Sequence, residues 1–158
     1  MKDAIRQRAI ELGFDDCRFT TAAPPASAEK FQQWLAQKNH GEMTWLERSV
    51  EKRSEPQKVL AGAKSIIMLA VSYVTSAECR VTPAPRPASR ITHHVPGAVA
   101  CYAQFADYHD VLGERLKSLT QFVNQLGGAG TRSLWYVDTG PLLERDLAQR
   151  AEIGRAHV

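Results

Sequence analysis

Ser65-Ile-Ile-Met-Leu-Ala-Val-Ser-Tyr-Val74 is a continuous apolar run of strand length that begins shortly after Gly62. Such a run reads as a buried strand, and it is expected to be central in its sheet. Working toward the N-terminus, Arg53-Ser-Glu-Pro56 opens a short segment that Gly62 ends, and Met43-Thr-Trp-Leu-Glu-Arg48 supplies a helical turn or two. Before them, Phe31, Trp34 and Leu35 share one face of a helix that Ser27 is placed to cap and that stops around Asn39-His-Gly41. Phe14 to Thr20 reads as a short strand, preceded by a helix that carries Ile5, Ala9, Ile10 and Leu12 and ends at Gly13.

Toward the C-terminus, residues 75–97 hold Pro83, Pro85, Pro87 and Pro96, which excludes regular structure and predicts a lid or flexible excursion. Ala98 to Ala106 is apolar again. Val111, Leu112, Leu116, Leu119, Phe122, Val123 and Leu126 then mark a long amphipathic helix closed by Gly127-Gly128. Leu134-Trp-Tyr-Val137 is expected to be a further strand, and a last helix starts near Leu142. Helices alternating with few strands, without an internal repeat, predict an α/β (α+β) domain: a small sheet flanked by helices.

The composition is that of one soluble globular domain. With 158 residues, a chain buries about two thirds of the surface its unfolded form exposes. Hydrophobic residues at 44% and charged residues at 23% exclude disordered and fibrous classes. Cys17, Cys79 and Cys101 are far apart and lack C-x-x-C spacing, so no zinc knuckle or iron-sulfur cluster arises from this chain, and a reduced cytoplasmic setting is expected. The charged N-terminal segment is not of signal-peptide type, and no segment is long enough to cross a bilayer. A net charge of +3 permits an anionic partner, but Lys and Arg are scattered rather than massed.

The stretch richest in chemistry is Tyr136-Val-Asp-Thr-Gly-Pro-Leu-Leu-Glu-Arg-Asp-Leu-Ala-Gln-Arg-Ala-Glu-Ile-Gly154. Here a Gly-Pro turn exposes the carboxylate of Asp138, where apolar walls would raise its proton affinity for donation. The plainer reading, favoured by local sequence, is that Asp138 caps the next helix. Glu144 and Arg145 read as an ion pair or surface charges. Asp107-Tyr-His109 falls short of a metal site, and reads as an N-cap aspartate, an interfacial tyrosine and a hydrogen-bonded histidine. His40-Gly-Glu42 reads as a turn, His93 and His94 as loop residues, Arg53 as solvated surface and Cys101 as a buried inert thiol. There is no phosphate-binding Gly-rich loop, Ser-His-Asp order or H-E-x-x-H.

Taken in order, Leu12-Gly-Phe14, Trp34-Leu35, His40-Gly-Glu-Met43 with Trp45, Arg53 ahead of Pro56, the strand from Ser65, Tyr102-Ala103, Asp107-Tyr-His109, and Val137 to Arg145 through Leu147-Ala148 resemble the N-terminal domain of epoxyqueuosine reductase over nearly the whole chain. The resemblance implies a cobalamin-dependent oxidoreductase that removes the epoxide oxygen of epoxyqueuosine at the tRNA wobble position. It makes Asp138 the proton donor, which also faces the cofactor. It places Arg53 and Ala100-Cys101-Tyr102 at the cobalamin, with Asp107, Tyr108 and His109 lining or bracing the pocket.

In that family, 4Fe-4S clusters in a C-terminal ferredoxin-like part feed electrons to the corrinoid. The cysteine motifs that would hold them are absent here. Beyond Leu147-Ala148 the family pattern of a Gly-rich turn, a tryptophan and a Gly-Lys pair gives way to Arg150-Ala-Glu-Ile-Gly-Arg-Ala-His-Val158. Residues 1–154 are therefore expected to be the family's N-terminal domain, cut before its iron-sulfur part, with 155–158 a non-matching terminus. The expected partners are tRNA and an electron donor, with no membrane and a monomeric state. The alternatives are a corrinoid-binding module served by a separate ferredoxin-like partner, or an inactive gene fragment.

Overall fold

The computed structural model describes residues 1–72 and 106–153. The proline-rich stretch 75–97, the Ala100-Cys101-Tyr102 triplet and residues 155–158 lie outside the described residues. Within them, helix α1 spans Lys2–Glu11 and strand β1 spans Asp16–Thr21. Helices α2 (Ala28–Ala36), α3 (Trp45–Arg48) and α4 (Val50–Ser54) follow, then a 3-10 turn at Pro56–Lys58 and strand β2 (Ser65–Ala70). Helix α5 covers Tyr108–Gly127 and α6 covers Glu144–Arg150.

The first turn of chain direction follows from Gly13. Its φ of 86° is costly for any side chain, and it lets the Gly13 and Phe14 N–H groups return to the carbonyls of Ile10 (2.9 Å) and Ala9 (3.1 Å). The chain then enters β1, which pairs antiparallel with β2 in the register Cys17↔Leu69 and Phe19↔Ile67. Those four side chains share one face, because strand residues two apart point the same way. On that face Ile5 and Ala9 of α1 and Leu116 and Leu119 of α5 meet Cys17 and Phe14, with Ile67, Leu69, Phe122 and Val137 packed around them. Burial of each leucine contributes about 1.5–3 kcal/mol. The small sheet flanked by helices is the expected fold class.

Two sequence expectations change. Leu134-Trp-Tyr-Val137 has no strand pairing among the described residues, although its residue types suit one. It runs beside α5 instead. The Trp135 ring closes on Gly113, where an added Cβ would lie 3.5 Å from Cη2, and Ser133 Oγ donates to Asn124 Oδ1 across 2.7 Å. β2 has one hydrogen-bonded neighbour among the described residues, so the central position expected for it is not seen there.

Helix α6 is fixed by side chains to the segment from the end of β1 to the start of α2. Leu147 is fully buried. The Arg150 guanidinium donates to Thr20 Oγ1 at 2.9 Å, Thr21 O at 2.6 Å, and the Ala23 and Pro24 carbonyls at 3.1 Å each. Ser27 occupies the N-cap position of α2 without a capping bond from its hydroxyl; its backbone N–H donates to Asp146 Oδ2 at 2.8 Å. Burial opposes the Asp146 charge, but the hydrogen bonds from Ser27 and Ala26 outweigh it and hold this carboxyl below the usual range.

Candidate active site

Asp138 sits at the apex of a three-residue turn closed by the Thr139 N–H on the Val137 carbonyl at 2.6 Å. Its φ of 54° is in the left-handed region, which aspartate tolerates better than most residues. Gly140 makes the turn possible: a Cβ there would lie 2.6 Å from Cγ of the Tyr136 ring. The carboxylate is exposed and accepts from the Tyr108 hydroxyl, Oη to Oδ2, at 2.7 Å. Asp138 does not cap α6, whose N-cap position belongs to Leu143.

The burial anticipated for Asp138 falls on Glu144 instead. Glu144 is half-buried in the first turn of α6, and its carboxyl is raised above the usual range, first by burial and then by the Asp138 charge, with a hydrogen bond from its protonated form to Asp138 adding to the effect. The Arg53 charge acts in the opposite direction on the same group. Among the described residues no ion pair joins Glu144 to Arg145, and of the two expected readings, ion pair or surface charge, the exposed Arg145 keeps the second.

Arg53 is not solvated surface. From α4 its Nε donates to Ser49 Oγ at 2.9 Å and its Nη1 donates to the Leu142 carbonyl at 3.2 Å, fastening the segment that leads into α6. The site thus draws Arg53, Tyr108, Asp138 and Glu144 from separate parts of the chain. Sequence reasoning set Glu144 aside as an ion-pair partner or surface charge; its place just after the Gly140-Pro141 turn that follows Asp138 was the available signal.

Asp107 is the N-cap of α5, accepting from the His109 N–H at 2.8 Å, and the same oxygen lies 2.8 Å from His109 Nδ1. The hydrogen bonds from His109 hold the Asp107 carboxyl below its usual range. Tyr108 and His109 stack with ring centres 4.2 Å apart, so this cap also orients the tyrosine that meets Asp138. His40 is buried at 3% exposure, tilted against Trp34 and 3.1 Å from Glu47 Oε1 through Nε2, which makes it a brace between α2 and α3. Two open clefts, of about 390 and 340 Å³, lie away from this cluster near Lys64 and Lys30. Among the described residues there is no His, Cys, Asp and Glu group arranged to hold a metal ion, and no helix long and apolar enough to cross a membrane.

Comparison with known proteins gives this geometry a family. The family model described as epoxyqueuosine reductase QueG, DUF1730 matches residues 53–139, which is more than half of the chain and runs from Arg53 past Asp138. An epoxyqueuosine reductase of Salmonella typhimurium is 33% identical over 150 residues, covering 95% of this chain and 37% of that protein. An epoxyqueuosine reductase structure from Bacillus subtilis, described with the catalytic loop of an aspartate swung out of its active site, superposes with a TM-score of 0.71 at 31% identity, covering 98% of this chain and 38% of that one. Another, solved with an epoxyqueuosine-modified tRNA stem loop, gives a TM-score of 0.67 at 30% identity over 95% of this chain and 37% of that one. The chain spans less than half the length of each of these relatives, and over its own length it belongs to the epoxyqueuosine reductase family.

Proposed function

We propose that this chain carries the acid-bearing N-terminal part of an enzyme that reduces epoxyqueuosine to queuosine at the wobble position of tRNA, with cobalamin as cofactor. The observation that carries the reading is the exposed Asp138 carboxylate, held on a tight turn by the Tyr108 hydroxyl at 2.7 Å. Opening an epoxide leaves an alkoxide unless a proton arrives as the C–O bond breaks, so an acid at a fixed place contributes directly to the rate. The solved relative that holds an epoxyqueuosine-modified stem loop supports tRNA as the substrate.

The described residues fit a corrinoid in their chemistry. Its rim of amides needs both donors and acceptors, and Arg53, exposed Asp107 and His109 offer both. Ala100, Cys101 and Tyr102 belong to the same proposal through the resemblance, from outside the described residues. When bound, cobalamin supplies the electrons that reduce the carbon–oxygen bond. The chain's own residues have other tasks: Asp138 delivers the proton to the departing oxygen, Tyr108 fixes its carboxylate, and Arg53 anchors the segment between Asp138 and α6. In this reading residues 1–154 are the cofactor-facing domain of a cytoplasmic monomer, and electrons come from a donor outside it.

A second reading is a corrinoid-binding module that works with a separate ferredoxin-like partner; the three cysteines of this sequence are dispersed and lack cluster spacing. A corrinoid titration followed by absorbance, with and without an epoxyqueuosine-modified stem loop and a chemical reductant, tests both. Perturbed corrin bands together with queuosine that is lost in Asp138→Asn support the first reading. Perturbed bands with product only after a cluster protein is added support the second, and unperturbed bands overturn both.

A further inference from the structure

We propose that the cleft between the start of α1, the Thr21 and Ser65 end of the sheet and the end of α6 binds a backbone phosphate of RNA, outside the acid site. This rests on the reading that tRNA is the substrate.

Three cations remote in sequence carry the inference. Lys2 of α1, Lys64 just before β2 and Arg150 of α6 line one open cleft of about 390 Å³, together with Thr20, Thr21 and Ser65. Among the described residues no carboxylate lines that cleft, and no ion pair joins any of the three cations to an acid. Charges that the sequence scatters are gathered by the fold. Arg150 is held by hydrogen bonds to neutral oxygens of Thr20, Thr21, Ala23 and Pro24, so its charge is positioned without a salt bridge. Lys2 and Lys64 are exposed beside it. Thr20 Oγ1 accepts from Arg150 at 2.9 Å, which leaves its own O–H to donate, and Thr21 and Ser65 are partners in the last register pair of the sheet. Cations and hydroxyl donors without an acid suit phosphate oxygens.

A second cleft, of about 340 Å³, shares Arg150 but holds Asp146, the acid on which the Arg150 charge acts. An anion is repelled there, so the first cleft is the phosphate site and Lys30 of the second serves as a control. The surroundings also favour backbone over base. Phe19 packs against the core and carries Lys2 Nζ at 5.5 Å and Arg6 Cζ at 5.2 Å from its ring centre, so its ring is not offered to a base. A contact of this kind positions RNA without reading its sequence. From Glu144 to Arg150 helix α6 rises about 9 Å, at roughly 1.5 Å per residue. The cleft therefore lies one short helix from the acid turn, within the span of a stem loop.

Binding of two RNA stem loops of unrelated sequence to the full chain, measured across salt concentrations, tests this. Lys2→Ala and Lys64→Ala are each expected to weaken both RNAs by the same factor and to lower the slope of log affinity against log salt by about one. Lys30→Ala should change neither. Unaltered slopes in the Lys2→Ala/Lys64→Ala double variant overturn the inference, as do losses that differ between the two RNAs, an equal loss in Lys30→Ala, or a wild-type chain that binds neither RNA. Inorganic phosphate is the second probe: amide NMR shifts at Thr21 and Ser65 with phosphate but not with RNA would assign the cleft to free phosphate and overturn the RNA assignment. A chain that shows the lysine effect yet binds no corrinoid overturns the functional reading and leaves this site standing. Corrinoid binding and Asp138-dependent turnover with unaltered slopes do the reverse.

Discussion

The Tyr108 hydroxyl reaches Asp138 Oδ2 across 2.7 Å and joins residues 30 positions apart, tying the first turn of α5 to an otherwise exposed acid turn. The tyrosine is itself held by the Asp107 cap and by stacking on His109 at 4.2 Å. This hydrogen bond opposes movement of the turn that carries Asp138.

Tyr108→Phe therefore removes a tether while leaving the ring. The expected loss of stability is about 0.5–1.5 kcal/mol, read from the denaturant midpoint. Hydrogen exchange at the Thr139 amide, which closes the turn on Val137, should accelerate more than exchange in the middle of α5. Equal acceleration at both places would assign the hydroxyl to global stability rather than to the turn.

Glu144 gives a pH signature with a definite sign. Its folded-state proton affinity is raised, so the folded protein holds this proton where the unfolded chain has released it. Stability falls as pH rises from the ordinary glutamate range, about 4.3, through the folded value. Glu144→Gln should be nearly as stable as the wild type below that window and more stable above it. Solvent screening limits the gain to about 1 kcal/mol. Thermal melts across the pH range check this, and a gap that does not change with pH would contradict it.

Asp146 has the opposite sign. Because hydrogen bonds hold its folded-state carboxyl low, its contribution is present above the unfolded value, near 3.9, and is lost as pH falls through the folded one. Asp146→Ala also strands the Ser27 N–H, at an expected cost of about 1–3 kcal/mol near neutrality. Denaturation at pH 7 and again in acid should show the gap closing as the solution is acidified.

Cys17 lies 3% exposed in the core, and burial pushes its thiol up to about 11. Site-resolved mass spectrometry at pH 8 should find Cys17 unlabelled by a small thiol reagent in the folded chain and labelled once denaturant is added. Labelling of Cys17 at the same rate in both conditions would show that the α1–α5 core opens readily.

Local patterns located most elements because their causes are local. The spacing of Ile5 and Ala9 with Gly13 behind them, the Asp107 cap before a long apolar stripe, and the apolar run from Ser65 each fix backbone conformation over a few residues, and α1, α5 and β2 lie where those patterns place them. Ordered short motifs also identified the family, and Asp138 stood out because a Gly-Pro turn follows it.

Tertiary structure decided the rest. Leu134 to Val137 has strand-forming residues, yet among the described residues no strand pairs with it, and Trp135 lies on Gly113 of α5. Arg53 looked like surface until its fold position brought the Leu142 carbonyl within 3.2 Å. Glu144 read as an ion pair with Arg145 or as surface charge, but the fold half-buries it, and burial with the Asp138 charge raises its carboxyl above the usual range. Hydrogen bonding, desolvation and charge coupling depend on distances between residues remote in sequence. Sequence order singled out Asp138 as a candidate, and folding brought the Tyr108 hydroxyl to it and half-buried Glu144 in the helix that follows.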